Sequence, residues 1–258
     1  MTPILSIIIP QYKTPELIRL CIRAIKQFSV LHPEIIVIDN NSRDASLDYL
    51  KKIKNITLIE NKRNFSGADA HKLALDLGIK KARGQWILLF HSDSIVLKKD
   101  WDQDLIDLTK KYPGTIGATT IYRDINRFAP WYAKLLRYFK ERSSFFNYTF
   151  DVTNKKIMSY CFLVEREFLL KTKYKFHGSH GDVGDSLYQT HIKNQKPFIL
   201  LGRKMLNRFI WHTSNATSLA AGLMNDEKSK QKFLKKRNQL LSSDIISSLL
   251  QNNALDKS

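Results

Sequence analysis

The chain has 258 residues, of which 43% are hydrophobic, so it can bury the core of one α/β domain with an extension. Its 42 basic and 24 acidic residues leave a net charge of +18, which predicts an anionic partner for the surface. The longest apolar runs are too short to cross a bilayer, and the two cysteines lie far apart in predicted apolar elements. These features argue against a membrane-spanning protein and against a small disulfide-stabilised secreted domain.

Three apolar segments in the first part of the chain each end in a polar cluster. Residues 5–10 run into Gln-Tyr-Lys, residues 34–38 into Asp-Asn-Asn-Ser, and the apolar run after Gln85 into His-Ser-Asp. Between these segments, apolar residues recur at helical spacing at 17–28 and again at 68–79. This alternation predicts parallel strands with crossover helices on both faces of the sheet.

The polar clusters predict one shared binding pocket. In an open α/β sheet, ligands bind in the crevice beyond the carboxyl ends of the strands. The third cluster contains a single carboxylate, Asp93, at a position where the edge of the sheet would hold a metal ion. Carboxylate oxygens are the ligands that hard cations prefer, so we expect Mn²⁺ or Mg²⁺ there.

Taken in order, these segments resemble the family 2 glycosyltransferases, which have the GT-A nucleotide-sugar-binding fold. Residues 6–12 resemble the opening strand of that family, and residues 34–44 resemble its uridine-binding segment. Residues 61–70 resemble a second nucleotide-contacting stretch, and residues 90–94 stand where the family has its Asp-x-Asp metal motif. Residues 161–168 resemble the strand-to-helix step before the acceptor site, and residues 181–185 resemble the Glu-Asp motif of the catalytic base. The resemblance covers roughly residues 4–215, and several motifs in the expected order argue against coincidence.

The resemblance implies both a fold and an activity. The fold is an α/β, Rossmann-like GT-A fold: a mixed, mainly parallel sheet flanked by helices, followed by a C-terminal helical extension. Residues 1–215 would form the glycosyltransferase domain, with a nucleotide-sugar-binding half at 1–120 and an acceptor-binding half at 121–215, and residues 216–258 would form the basic extension. The activity is metal-dependent, inverting transfer of a sugar from a UDP-, dTDP- or GDP-sugar. The acceptor would be a saccharide or lipid-linked saccharide in bacterial surface polysaccharide or lipopolysaccharide synthesis.

The resemblance also implies which residues bind the donor. Asp39, at a strand end, can accept hydrogen bonds from the base or ribose, while Pro10 and Tyr12 form a wall against the base. The alternative for Asp39 is a turn aspartate that caps the next helix. The other implied donor contacts are Asn41, Asn64, Gly67, His91 and Ser92.

The metal motif departs from the common family pattern. Asp93 would coordinate Mn²⁺ or Mg²⁺, but His91 replaces the first acid of Asp-x-Asp. His91 can ligate the metal as a neutral imidazole, hydrogen-bond the ribose, or be a partly buried structural histidine. His212 resembles a family histidine that follows the last core strand and reaches the metal or the diphosphate. Its alternative is a surface loop histidine.

Two acids compete for the role of catalytic base. Asp182 would take the proton of the acceptor hydroxyl as its oxygen attacks the anomeric carbon, and Asp185 is the rival three residues later. Gly181 stands where the family usually has an acidic residue, and the alternative is a turn that caps a helix beginning near Ser186. Neighbouring histidines, at 177, 180 and 191, make a zinc site conceivable. A closed tetrahedral zinc site is not favoured, since the sequence has no His-x-x-x-His pair or cysteine cluster there.

The high net charge needs a partner beyond one diphosphate. Residues 130–142 interleave aromatic and basic side chains at roughly helical spacing, as interfacial helices do, so an anionic membrane surface is an expected partner. The alternative is a core-facing helix with a solvated basic face. Residues from 226 on predict a second basic helix, and residues 252–258 are expected to fray. With no visible signal peptide, we expect a cytoplasmic protein, located peripherally at the inner face of the cytoplasmic membrane.

The sequence fits three other functions less well. Nucleic-acid binding would fit the charge, but no helix-turn-helix, zinc-finger or RNA-binding signature appears and the lysines are spread along the chain, so no nucleic-acid partner is expected. A catalytically weak nucleotide-sugar-binding protein would fit the departures at His91 and Gly181. A nucleotidyltransferase would need a glycine-rich basic loop after the first strand, where this chain has Pro-Gln-Tyr-Lys-Thr-Pro.

Overall fold

The computed structural model describes residues 2–63, 67–112, 114–122, 147–148, 156–179, 181–201, 206–214, 216–222 and 226–257. Three features predicted from the sequence lie outside these residues: Asn64, His180 and the segment of interleaved aromatic and basic residues at 130–142.

Strands and helices alternate through the first 111 residues, as the apolar periodicity predicts. The elements are β1 (Leu5–Gln11), α1 (Pro15–Phe28), β2 (Glu34–Asp39), α2 (Ala45–Lys52), β3 (Thr57–Glu60), α3 (Gly67–Lys81), β4 (Trp86–Phe90), β5 (Ser94–Val96) and α4 (Trp101–Lys111). Strands β1 and β4 are buried along their whole length, which is typical of parallel strands covered on both faces. Helix α1 begins with Pro15, which suits the first position of a helix, because the missing N–H has no intrahelical partner there.

The second part of the described chain is less regular. Its elements are β6 (Gly117–Tyr122), β7 (Asn147–Tyr148), β8 (Lys156–Glu165), α5 (Arg166–Lys171), α6 (Val183–Lys193), β9 (Ile199–Leu201), β10 (Ile210–His212), α7 (Ala216–Ala220), α8 (Glu227–Leu241), α9 (Asp244–Gln251) and a 3₁₀ turn at Asn253–Asp256. Strand β8 passes directly into α5, which confirms the predicted strand-to-helix step. None of the helices in the described ranges is both long and apolar enough to span a bilayer.

The sheet is mixed, with strand order β3-β2-β1-β4-β8-β6-β9-β7. Strands β1 to β4 run parallel to one another, and β8 is antiparallel to both β4 and β6. Gln11 at the end of β1 lies opposite Asp39 at the end of β2, so the carboxyl ends meet at one edge as predicted. A separate ribbon of β5 and β10 lies beyond this edge.

Helices cover both faces of the sheet because successive strand residues point to opposite sides. Ile7 and Ile9 face a core shared with α1, α4 and the C-terminal helices, and Ile8 faces a core shared with α3 and α6. Cys21 and Cys161 are buried free thiols, as predicted.

The end of the chain is anchored by a buried arginine on α1. Arg23 is 1% exposed and donates hydrogen bonds to the Leu249 carbonyl (2.9 Å), to Asn253 Oδ1 (2.8 Å) and to both carboxylate oxygens of Asp256. Tyr49 on α2 also donates to Asp256 Oδ1 (2.8 Å). The expectation of a frayed end at 252–258 is therefore wrong for the turn at Asn253–Asp256, because these partners compensate the buried guanidinium charge.

Candidate functional site

Three potential metal ligands converge where β4 ends and the β5–β10 ribbon begins. The Ser94 backbone N–H donates to the His91 carbonyl oxygen (3.0 Å), which closes a turn and brings His91 and Asp93 together. The antiparallel pairing of β5 with β10 then places His212 opposite Ser94. One ligand atom from each of His91, Asp93 and His212 lies within 4.8 Å of the others, a spacing that one cation can bridge.

The Asp93 carboxylate is oriented by the segment that follows β10. Thr213 Oγ1 donates to Asp93 Oδ2 (3.1 Å), and the Ala216 backbone N–H approaches the same oxygen at 3.5 Å. The other oxygen, Oδ1, faces His212 Nε2 at 3.2 Å and His91 Nδ1 at 3.9 Å. Burial alone raises the pKa of Asp93, but His212, His91 and the Thr213 hydroxyl outweigh it and lower the pKa well below its usual range. Asp93 is therefore ionised at neutral pH.

His91 and its neighbour His71 are neutral imidazoles at neutral pH. Burial, followed by the repulsion of His71, lowers the pKa of His91 to about 3, although Asp93 opposes the shift. Burial also lowers the pKa of His71 to about 4, and its ring centroid lies 5.2 Å from that of His91. Sequence reasoning missed His71. Its place near the start of α3, directly after the segment that resembles a nucleotide-contacting stretch of the family, was the signal that could have pointed to it.

The His212 ring is held on both sides. It stacks on Tyr160, with ring centroids 4.1 Å apart and an interplanar angle of 11°, and its Nδ1 lies 3.3 Å from Ser214 Oγ. Its Nε2 is buried and has no hydrogen-bond partner within the described part of the chain, although it faces Asp93 Oδ1. A cation bound between this nitrogen and the Asp93 carboxylate would satisfy both, so the residues present fit a metal ion.

Asp39 forms a second buried polar group, at the end of β2. It is 1% exposed, and its Oδ2 accepts the Ser42 backbone N–H (2.9 Å). Its Oδ1 is buried without a hydrogen-bond partner among the described residues, and burial raises the pKa of this carboxyl. The N-cap of α2 is Asp44, which accepts the Ser46 backbone N–H (3.0 Å), so the alternative that Asp39 caps this helix is wrong. Asp39 Oδ1 is thus available to a donor group of a ligand.

A chain of buried polar side chains connects the two groups. Thr14 Oγ1 donates to Gln11 Oε1 (2.5 Å) and lies 3.2 Å from Ser92 Oγ, next to Asp93 in the sequence. Gln11 Nε2 approaches Ser42 Oγ at 3.5 Å, and Ser42 in turn binds Asp39. These contacts fix the ends of β1, β2 and β4 relative to one another.

The other predicted donor contacts lie at the same edge. Pro10 is buried in β1 opposite Ile38, and Tyr12 is half-buried just after this strand. Asn41 is half-buried in the loop after β2, with φ of 59°, and Gly67 begins α3 with φ of 58°. The structure therefore groups them around the strand ends.

The two candidate bases lie near the start of α6 and differ in their surroundings. Asp182 is exposed at the N-cap, whereas Asp185 is half-buried and its Oδ1 accepts the Ile157 backbone N–H (2.8 Å) at the start of β8. The segment before Asp182 packs on α3, because Lys72 Nζ donates to the Ser179 carbonyl oxygen (2.6 Å). Lys72 and His71 are consecutive residues of α3, so the same turn of this helix contacts both this segment and His91.

Both glycines of the Gly-Asp-Val-Gly-Asp motif have structural causes. Gly181 has φ of 75°, a left-handed conformation that an acidic residue adopts only at a cost, which accounts for the departure from the family pattern. A Cβ on Gly184 would lie 2.2 Å from the Ile157 carbonyl oxygen, so α6 can approach β8 only with glycine there. The helix begins at Val183, three residues before the predicted start.

Of the histidines near these acids, the described ones, His177 and His191, do not join them in a metal site. His191 is fully buried among Phe162, Phe168 and Phe198, and its Nδ1 lies 2.8 Å from the Leu187 carbonyl oxygen. Around α6, the described residues contain no group of three potential metal ligands.

The mixed, mainly parallel sheet flanked by helices is the architecture that the sequence predicts, and sequence comparison identifies the family. The family described as Glycosyl transferase family 2 matches residues 6–171, and the chain belongs to this family. His212 and the C-terminal helices lie beyond the matched residues.

Two curated relatives match only part of the chain. The poly(ribitol-phosphate) beta-glucosyltransferase of Bacillus spizizenii is 35% identical over 98 residues, which are 36% of this chain and 15% of that protein. The putative glycosyltransferase EpsH of Bacillus subtilis is 31% identical over 96 residues, which are 36% of this chain and 26% of that protein. The matches thus span a minor part of both relatives.

Solved structures show the same fold over nearly the whole chain. S. aureus TarS 1-349 has a TM-score of 0.59 at 17% identity, covering 96% of this chain and 75% of that one. TarS 1-349 in complex with UDP-GlcNAc has a TM-score of 0.57 at 13% identity, covering 93% and 67%. Mannosyltransferase PcManGT from Pyrobaculum calidifontis, in complex with GDP-Man and Mn²⁺, has a TM-score of 0.52 at 15% identity, covering 98% and 80%. These likenesses confirm the predicted GT-A fold.

Proposed function

We propose that this protein transfers a sugar from a nucleotide-diphosphate sugar to an acceptor hydroxyl with inversion at the anomeric carbon. The observation that carries this proposal is the convergence of Asp93, His91 and His212 beside the buried Asp39 at one edge of the sheet. A nucleotide-diphosphate sugar has complementary parts: a nucleoside with hydrogen-bond donors and a diphosphate that binds cations. The family supports the reaction class.

The nucleoside would bind at the ends of β1 and β2. Asp39 Oδ1 would accept a hydrogen bond from the base or the ribose, since it is buried and otherwise lacks a donor among the described residues. Pro10 and Tyr12 would form the wall against the base, with Asn41 and Gly67 around it. Asn64 and Ser92 complete the proposed donor contacts, together with His91 if it does not ligate the metal. The solved structures of the same fold with UDP-GlcNAc and GDP-Man support a nucleotide-sugar donor.

Asp93, His212 and His91 would hold the metal ion. Two imidazoles and one carboxylate favour Mn²⁺ over Mg²⁺, because Mg²⁺ prefers oxygen ligands and near-ideal octahedral geometry. A bound ion would supply Lewis-acid stabilisation of the diphosphate as it leaves. The residues themselves contribute an ionised carboxylate and a neutral His91 at physiological pH, which is the protonation state that a metal site requires.

Asp182 would act as the general base. It is exposed, whereas the rival Asp185 accepts the Ile157 backbone N–H and is committed to joining α6 to β8. The carboxylate of Asp182 would take the acceptor proton as the hydroxyl oxygen forms its bond to the anomeric carbon and the bond to the diphosphate breaks. A single displacement of this kind inverts the configuration.

The acceptor would be a saccharide or lipid-linked saccharide of a bacterial surface polymer, including lipopolysaccharide. The poly(ribitol-phosphate) beta-glucosyltransferase among the relatives supports a cell-wall setting. The net charge of +18 supports binding to an anionic membrane surface or an anionic polymer, so we place the protein in the cytoplasm, peripherally at the inner face of the membrane.

Thermal unfolding with UDP, GDP, dTDP and CMP, each with and without Mn²⁺, tests the donor site. A ligand that binds only the folded protein stabilises it and so raises the melting temperature. The stabilisation is about 2.7 kcal/mol at a free ligand concentration of 100 times the Kd. We expect a Mn²⁺-dependent rise with one nucleotide, lost in Asp93→Asn and kept in Asp107→Asn, a matched change at an exposed acid on α4.

The outcomes separate binding from transfer. A wild-type protein that shifts with none of the nucleotides contradicts the donor site. Binding without any release of nucleotide from the corresponding nucleotide sugar, even with saccharide acceptors present, would instead indicate a nucleotide-sugar-binding protein.

A further inference from the structure

Helix α8 lies beyond the residues matched by the family. Its residue Lys236 contacts residues 212–214, a segment that contains the potential metal ligand His212. Lys236 Nζ lies 3.3 Å from the carbonyl oxygens of His212 and Thr213 and 3.3 Å from Ser214 Oγ. An ammonium group has three N–H donors and no acceptor, so each of these oxygens can accept a hydrogen bond from it. Lys236 thus holds three consecutive residues in one conformation.

These three residues control the geometry around Asp93. His212 Nε2 faces Asp93 Oδ1 at 3.2 Å, and Thr213 Oγ1 donates to Asp93 Oδ2 (3.1 Å). Ser214 has φ of 67°, so the backbone turns sharply there and its hydroxyl reaches His212 Nδ1 at 3.3 Å. A change in this turn would move a metal ligand and a residue that orients Asp93 together.

The contact with Ser214 also bears on the proton of His212. Ligation through Nε2 requires the ring proton to be on Nδ1, where a hydrogen-bond acceptor must receive it. Ser214 Oγ has two lone pairs and can accept from both Lys236 Nζ and His212 Nδ1. Lys236 keeps this hydroxyl in place, so it favours the tautomer with a free lone pair on Nε2.

Helix α8 is itself held firmly enough to place the lysine. Phe233 and Leu240 are buried in the core shared with α1, and Arg237, next to Lys236, forms an ion pair with Glu16 at the start of α1. By contrast, Lys235 on the same helix is exposed. The environment of Lys236 is therefore specific to its position and is not a general property of this basic helix.

We infer that Lys236 is a positioning residue for the metal site, acting through His212, Thr213 and Ser214. This role depends on the metal site proposed above and extends it, because it assigns a task to the C-terminal helices. The ammonium group of Lys236 would bind the carbonyl oxygens of His212 and Thr213. Lys236 would therefore order residues 212–214 without binding the metal ion itself.

Titration with Mn²⁺ alone, followed by electron paramagnetic resonance of the free ion, tests this role in the full chain. Loss of a group that orients a metal ligand weakens binding by about 10–100-fold, and we expect this for Lys236→Met. Lys235→Met removes the same charge from the same helix and should leave Mn²⁺ affinity unchanged. Lys236→Arg keeps the donors and should recover most of the affinity.

A second variant covers the case in which Lys236→Met does not fold. Ser214→Gly removes the hydroxyl while keeping a residue suited to positive φ, and it should also weaken Mn²⁺ binding. Circular dichroism and the melting temperature report whether each variant is folded.

Different results would overturn different statements. A folded Lys236→Met that binds Mn²⁺ as tightly as the wild type, or an equal loss in Lys235→Met, contradicts the role of Lys236 while leaving the metal site intact. If Lys236→Met is unfolded, unchanged affinity in Ser214→Gly contradicts it. A wild-type protein that binds no Mn²⁺ contradicts the metal site itself, and this role with it.

Discussion

Histidines with lowered pKa values lie in two regions of the described chain, half-buried at the edge of the sheet around Asp93 and fully buried in helix α6. In both regions burial lowers a histidine pKa, to about 3 for His91 and to about 4 for His191. Around Asp93, the polar atoms of different elements face one another. In α6, by contrast, His191 Nδ1 pairs with a carbonyl of its own helix, and Asp185 pairs with the backbone of β8.

The difference shows that burial and a shifted pKa do not by themselves mark a ligand site. A histidine ring enclosed by phenylalanine rings has a lowered pKa for the same physical reason as one beside a metal ligand, since both are desolvated. Convergence of potential ligand atoms from different elements distinguishes the two regions, since His191 Nε2 is also buried without a hydrogen-bond partner among the described residues. Exposure separates Asp182 from Asp185, although both lie at the start of the same helix.

The largest expected effect tests that separation at the start of α6. Asp182→Asn should lower the rate of sugar transfer by about 10²–10⁴-fold, the usual contribution of a general base, while leaving donor binding unchanged. The measurement is the transfer rate at saturating donor, together with the nucleotide-dependent melting temperature.

Asp185→Asn is the matched variant at the same helix end. We expect it to keep most of its transfer rate, because an amide oxygen can still accept the Ile157 N–H. If Asp185→Asn lost transfer and Asp182→Asn kept it, the two roles would be reversed.

The next effect concerns the metal group. His212→Ala should weaken Mn²⁺ binding by at least the 10–100-fold typical of residues that only support a ligand. His177→Ala, a histidine on the exposed loop before α6, should not change it. Mn²⁺ titration measures both, and equal affinities in the two variants would remove His212 from the site.

A smaller effect concerns the structural contact between α6 and β8. Asp185→Ala should lower the free energy of unfolding by about 2 kcal/mol, since the Ile157 backbone N–H loses its charged acceptor. Urea unfolding at neutral pH measures the change. An unaltered stability would mean that Asp185 is not needed for this contact and would return it to consideration as a base.

The last effect concerns the core histidine and appears only in acid. Because burial lowers the pKa of His191 from its ordinary value of 6.5 to about 4, the unfolded chain takes up a proton first as the pH falls. The stability that depends on the neutral ring is fully present above pH 6.5 and is lost as the pH falls from 6.5 towards 4. His191→Phe should remove this loss, so at pH 5 the variant should lose about 2 kcal/mol less stability than the wild type.

The free energy of unfolding, measured as a function of pH for His191→Phe and the wild type, tests this prediction. Parallel curves between pH 7 and 4.5 would show that His191 is not desolvated as the fold indicates. His71 and His91 also have lowered pKa values, so they too cause a loss of stability as the pH falls. The effect of His191 is therefore the difference between the curves of the variant and the wild type.

Local patterns were enough to predict the framework of the fold. Uninterrupted apolar runs predicted β1, β2 and β4, helical spacing predicted α1 and α3, and their alternation predicted parallel strands with carboxyl ends at one edge. The positions of Asp39 and Asp93 could then be predicted, because polar residues at the ends of such strands must lie at that edge. These features depend on residues close in sequence, and a single sequence records them well.

The amino-acid sequence alone therefore predicted the parallel part of the sheet, the edge at which its strands end and the acids placed there, and the family resemblance predicted that His212 lies at the same site. Only the tertiary structure decided that His71 joins them, that Asp185 is tied to β8, and that Arg23 holds the turn at Asn253–Asp256. Each of these contacts joins residues far apart in the chain, through strand register or helix docking. Local periodicity carries no information on which distant partner a side chain will meet, because that is settled by how whole elements pack.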